Sequence, residues 1–265
     1  MKIIAGDIQG YKVNSSMTFI KGKKSPRLTP FYVENITNNV ETLSIGKNAD
    51  DGNIPTLTIE YSSDTINWYT LGTTSTTAIT RTLQPDEKLY LRCTTTSWAW
   101  NWDIYNHIVG VSKVGGNVMS LIYGDSFTGN ETILPGNDYG GCHFDSLLKG
   151  NNQLVDASEL ILPVTGVSGY GLRYTYAHMF YGCTNLVTAP DLIVDVVGNN
   201  MYDQMFRDCR SLQYIKCLVT YTSGGGNFSS WVAYVPSGGT FVKKAGVSWP
   251  TGSSGIPSGW TVVEV

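Results

Sequence analysis

The chain has 265 residues, of which 42% are hydrophobic and only 15% charged, enough apolar material for two modest domains with their own cores. A net charge of -3 with 29 Gly, 16 Tyr and 7 Trp reads as a mainly β, turn-rich protein exposed to other surfaces. No run approaches the length of a membrane span, and the short apolar run at the start, interrupted by Asp7, does not read as an export leader.

Residues 1–30 are basic. Lys2, Lys12, Lys21, Lys23, Lys24 and Arg27 stand against Asp7 alone, leaving an acidic body behind a cationic arm. Such an arm can dock electrostatically onto an acidic partner, with Lys21, Lys23, Lys24 and Arg27 as the contact residues. A solvated basic tail is the plainer reading of the same charges. Nothing base-reading follows, so nucleic acid is not an expected partner. Short strands are expected around Ile3–Ile4 and over 17–20, and Pro26 and Pro30 end the arm.

Residues 31–112 read as a small β domain. Strands are expected over 31–36, 42–45, 56–61, 68–70, 79–83, 88–93 and 108–111; the third and sixth of these alternate with period two, as half-buried strands do. Seven short strands at this spacing point to an immunoglobulin-like β-sandwich, with Trp68 as the candidate core plug. Trp98, Trp100 and Trp102 alternate, so one strand would turn all three to one side. They are either an aromatic platform for a sugar or partner protein, or a plug between two domains; their size favours the plug. The Gly115–Gly116 pair marks the expected boundary, and 113–265 is read as a second unit.

That second unit repeats itself. Leu147–Leu148, Met179–Phe180 and Met205–Phe206 are each followed by a small or polar turn and then by Leu154, Leu186 and Leu212. Such a unit cannot bury its apolar face alone, so neighbours must stack, with the three leucines in one buried column. Apolar spacing at i, i+3 and i+4 predicts a short helix before each turn, over 176–180 and 202–206. Strands are expected over 154–162, 186–194 and 212–218. Residues 118–132 read as a degenerate first repeat, and the closing segment with Trp249 and Trp260 as a terminal cap.

The sequence offers no reaction. Cys93, Cys142, Cys183, Cys209 and Cys217 are odd in number with no close pair; Cys183 and Cys209 share a repeat position and read as small buried thiols. His107, His143 and His178 stand in no catalytic motif, and His178 reads as a structurally satisfied residue. The expectation is no enzyme, no metal and no cofactor.

Met179, Phe180, Gly182, Cys183, Thr184, Leu186, Ala189 and Pro190 together resemble the MFxGCTxLxxAP unit of BspA-like leucine-rich repeat proteins, found in Bacteroidales and their crAss-like phages. Gly239 to Lys243 and Gly255 to Val262 look like the terminal segment of the same proteins, and the 31–93 region resembles the β domain that precedes such repeats in gut-phage proteins. Asn151 departs from the unit where later repeats have Cys, and Ile215–Lys216 replaces Ala-Pro. The resemblance implies a leucine-rich-repeat solenoid with a C-terminal cap and a role in surface recognition. With no leader, it implies a virion accessory, head- or tail-fibre or decoration protein, made in the host cytoplasm and present in several copies. Its expected partners are other virion proteins and a host surface glycan or protein. An exported surface adhesin is the alternative.

Overall fold

The computed structural model describes residues 28–47, 57–74, 77–94, 106–135, 142–167, 171–221 and 224–265, together with the backbone of three strands before them. In chain order the strands are β1 (Ile3–Ala5), β2 (Ile8–Val13), β3 (Ser16–Lys21), β4 (Tyr32–Glu34), β5 (Glu41–Lys47), β6 (Thr58–Ser62), β7 (Tyr69–Thr73), β8 (Ile79–Leu83), β9 (Lys88–Cys93), β10 (Asn106–Val109) and β11 (Lys113–Asn117). The one described α-helix, α1 (Ser120–Tyr123), follows; then come β12 (Ile133–Leu134), β13 (Asp156–Ile161), β14 (Gly166–Val167), β15 (Tyr214–Cys217), β16 (Thr240–Lys243) and β17 (Thr261–Glu264). The protein is mainly β, as its composition implied.

β1, β2 and β3 form an antiparallel meander of their own. The basic stretch therefore contains one strand, β2, that its polar sequence did not announce. All seven strands expected between 31 and 112 are present. They fall into a sheet of order β13-β11-β4-β9-β6-β7 and a second of order β10-β5-β8. Phe31, Val33, Ile59, Leu89, Leu91 and Cys93 from the first share one buried cluster with Leu43, Ile45, Leu83 and Ile108 from the second. On β9 the inward residues alternate strictly, because successive strand side chains point to opposite faces. Trp68 does not plug this core. It is half-buried at the surface, with the Arg92 guanidinium 4.2 Å over its ring.

The expected boundary is not a loose connection. β11 pairs antiparallel with β4 and parallel with β13, so the sheet runs across it. Gly115 and Gly116 are there for close approach. A Cβ at Gly115 would sit 2.3 Å from the Tyr32 hydroxyl, and one at Gly116, where φ is +73°, would sit 2.0 Å from the Pro30 carbonyl. Nor is 118–122 a first repeat: it carries α1, whose Ser120 hydroxyl accepts from the Phe31 N–H at 2.9 Å and donates to the Leu91 carbonyl at 3.0 Å.

Beyond β11 the chain winds through four stacked coils, at 142–154, 172–186, 198–212 and 224–236. The segments read as short helices are not helical. A residue with positive φ recurs every fourth position: Tyr174, His178 and Gly182; Asn200, Gln204 and Asp208; Gly226, Ser230 and Tyr234. Each of these stops α-helix before a second turn forms. Alternate N–H groups then split their bonds. Tyr174, Tyr176, His178, Phe180 and Gly182 donate to the next coil at 2.9 to 3.0 Å, while Ala177, Met179, Tyr181 and Cys183 donate three residues back within their own coil. The third coil repeats this toward the fourth at 2.7 to 3.0 Å. Such a ribbon keeps residues i, i+3 and i+4 on one side, the same apolar spacing that a helix shows.

The interior of the stack is an aromatic column. Phe144, Tyr176, Tyr202 and Phe228 stack with centroids 6.0, 6.0 and 5.3 Å apart and nearly parallel rings. Phe180 and Phe206 form a second step at 5.4 Å. Trp249 closes the first column edge-on to Phe228 at 4.8 Å. Leu154, Leu186 and Leu212 are each fully buried, and each donates its N–H to the residue three before it. The next residues continue as a ladder: Val155 donates to Ser112, Val187 to Val155, Gln213 to Val187 and Thr240 to Gln213. Thr188 is held in this sheet by single bridges to Asp156 and Tyr214. The expected strand at 186–194 thus shrinks to isolated bridges, since Pro190 has no N–H to contribute. Where Ile215–Lys216 replaces Ala-Pro, the regular strand β15 forms.

Candidate functional site

Two places on the described surface concentrate chemistry. One is a cavity of ≈160 Å³ beside the first sheet, lined by Trp68, Arg92, Asp125 and Phe127 among others. Arg92 is already engaged there by Glu60 at 2.7 Å and Asp125 at 2.6 Å, besides lying over Trp68. It is a held cation and offers little to a ligand.

The other is a row of side chains on the outer side of the coils, each contributed by a neighbouring rung. Arg207 Nη1 donates to Gln204 Oε1 at 3.2 Å, and Gln204 Nε2 lies 3.2 Å from His178 Nε2. His178 Nδ1 in turn lies 3.1 Å from Asp145 Oδ1. Arg can only donate, so it fixes the Gln204 oxygen toward itself and the amide nitrogen toward the imidazole. Nε2 of His178 is then the acceptor, and Nδ1 carries the proton given to Asp145. The row has one consistent direction across three coils. Beside it, cations and rings alternate: Lys149 lies 5.3 Å from the Tyr181 centroid, and Arg207 lies 5.8 Å from Tyr181 and 5.3 Å from Tyr234. Tyr234 is 66% exposed.

Coil geometry sets this register. The turn ribbon directs Phe180, Cys183 and their equivalents inward, so the positions between them look outward, and stacking places 149, 181 and 207 on successive rungs. The sequence reading singled out only His178 here. Lys149, Tyr181, Arg207 and Tyr234 escaped it, because their alignment appears only once the repeats are stacked by structure. The repeat register that aligned Cys183 with Cys209 also aligns Tyr181 with Arg207, and that was the available signal.

Lys21 ends β3, but its side chain lies outside the described residues, as do Lys23, Lys24, Arg27, Trp98, Trp100 and Trp102.

The cysteines are all free. Cys183 and Cys209 donate to the carbonyls of Leu148 and Phe180, both at 3.1 Å. Burial pushes the Cys183 thiol up to about 12 and that of Cys142 to about 11, the opposite of what a nucleophilic thiolate requires. In the first coil the equivalent residue is Asn151. Its amide donates to the Val111 carbonyl at 3.1 Å and accepts from the Gly110 N–H at 3.1 Å. A thiol could not serve both groups, so the departure from the repeat is the fitting that joins the stack to the strands before it. Among the described residues no three His, Cys, Asp or Glu side chains gather as a metal site, and no described helix is long and apolar enough to cross a membrane.

No protein-family model, curated protein or solved structure matches the chain.

Proposed function

We propose that this is a non-enzymatic accessory, fibre or decoration protein of a phage particle, an immunoglobulin-like sandwich followed by a short BspA-like leucine-rich-repeat solenoid. In this reading it makes assembly contacts on the particle or recognises a host surface. The observation that carries the reading is the division of labour in the coils. Their interior is filled by their own aromatic column, and their outer side displays an ordered polar and aromatic row. Side-by-side coils whose buried faces need one another are what a repeat solenoid requires, and the likeness to the BspA-like repeat unit supplies the kind of protein. The two sheets around one core support the sandwich, with β4 lying between β11 and β9 as its distinctive feature.

The basic stretch, with Lys21, Lys23, Lys24 and Arg27, is the docking arm in this proposal, attracted to an acidic surface of the particle. The test is mass spectrometry of purified particles with immunogold labelling. The expected result is a multicopy component at a fixed position, lost when residues 1–30 are deleted. Recovery solely in the envelope of the producing cell would instead identify an exported adhesin.

A further inference from the structure

We propose that the Arg207–Tyr234 end of the outer row is a saccharide subsite that takes a sugar bearing a carboxylate. Arg207 is the centre of the argument. Its guanidinium lies over two rings, Tyr181 on one rung and Tyr234 on another. Its one hydrogen bond to a neighbouring side chain among the described residues goes to Gln204. Arg81, Arg92 and Arg210 each have a carboxylate within 4 Å, but no described carboxylate pairs with Arg207, and its Nε is buried without an acceptor. A planar guanidinium over aromatic rings keeps its remaining donors in its own plane, the fork that accepts a carboxylate.

Two of the three carboxylates on this side of the stack are otherwise occupied. Asp145 is held by His178 and by the Ser146 hydroxyl at 2.9 Å, and Asp208 by Arg210 at 2.9 Å. Asp203, on the same coil as Arg207, has Oδ2 4.0 Å from His178 Nε2 and Oδ1 buried without a partner, and it makes no ion pair with Arg207. Lys149 adds a cation two rungs from Arg207, roughly 10 Å along the stack at the usual strand spacing.

The partner's class follows from the surface's shape. The row offers an exposed ring with a cation over one of its faces. A pyranose can lay its C–H face flat on Tyr234, which is 66% exposed, while its carboxylate reaches Arg207. The inference rests on the recognition half of the proposed function and is independent of where the protein resides. Presence in the particle without sugar binding removes only this inference, and sugar binding without presence in the particle removes only the other.

The experiment is calorimetric titration of the full chain with a galacturonic acid tetramer and, separately, with 3′-sialyllactose. The methyl-esterified tetramer, lactose and dextran sulfate are run as comparisons. The expected result is binding of one or both carboxylated sugars but not their neutral counterparts, the two arms separating an in-chain from a terminal acid. R207Q and Y234A should each weaken it on the order of tenfold or more, the scale of one hydrogen bond to a charged group. R207K should also weaken it, because a point charge lacks the fork. Near-UV circular dichroism checks that the variants keep their fold. Equal binding of the neutral sugars, unchanged affinity in R207Q or Y234A, binding of dextran sulfate alone, or no binding in either arm would overturn the site.

Discussion

The two-sheet region and the stack share one sheet but are held together by different rules. In the two-sheet region, partners are distant in sequence: β4 pairs with β9 and β11, and the Phe31 N–H reaches Ser120. In the stack, each coil bonds mainly to the coil before it and the coil after it, rung by rung. A distant-pair core stands or falls as a whole, whereas a nearest-neighbour stack can open from one end. The sharpest way to break that comparison is to damage each part equally. Phe180→Ala should remove about 3–5 kcal/mol and Leu91→Ala about 2–5 kcal/mol, as large-to-small changes at fully buried sites do. Hydrogen exchange read by mass spectrometry should then separate them. Phe180→Ala accelerates exchange in 172–236 while the two-sheet region stays protected; Leu91→Ala accelerates strands β4 to β10 together. Uniform acceleration in both variants would mean that the shared sheet makes the whole chain one cooperative unit.

The same contrast decided what could be read before any coordinates. Every strand from β4 to β10 was legible, because alternation such as Leu89, Leu91 and Cys93 belongs to strands alone. The stacking was legible too, because the turn and the following leucine recur. The coil backbone was not. Tyr176, Met179 and Phe180 obey helical spacing equally well in a ribbon with a left-handed residue every fourth position, and Tyr174, Asn200, Gln204 and Tyr234 are not residues that announce positive φ as glycine does. At the junction, Gly115 and Gly116 were legible as glycines but not as strand residues, since the ring and carbonyl that require them come from Tyr32 and Pro30, more than 80 positions away. Of the candidate site, His178 alone was legible beforehand, because a row across rungs is a property of register.

Two changes at the junction sharpen where one rule gives way to the other. Gly115→Ala sets a methyl group against the Tyr32 ring, and the ring cannot move without giving up its 2.6 Å hydrogen bond to Glu159. The expected loss is about 3 kcal/mol, the upper end for overpacking, seen as a lowered thermal midpoint. Asn151→Cys restores the residue of the later repeats and should nevertheless destabilise, by about 1–2 kcal/mol. The thiol cannot satisfy both the Val111 carbonyl and the Gly110 N–H, and one is left buried without a partner. If Asn151→Cys proves neutral, the first coil obeys the repeat's rule and not the junction's.

The smallest effect is electrostatic and lies on the same seam. The Tyr32 hydroxyl holds the Glu159 carboxyl below its ordinary value, and Lys113 at 3.1 Å adds to this. A carboxyl whose folded value is depressed stabilises the fold above its unfolded value near 4.5, and that contribution is lost as pH falls through the folded value. Glu159 is half-exposed, so the amount is under about 1 kcal/mol. Glu159→Gln should therefore lower the denaturant midpoint slightly at pH 7 and by less at pH 3, the difference fading as pH falls through the depressed folded value. A variant with the same deficit at both pH values would show that Glu159 joins β13 to β4 and β11 by hydrogen-bond shape alone, and that charge contributes nothing where the two modes of packing meet.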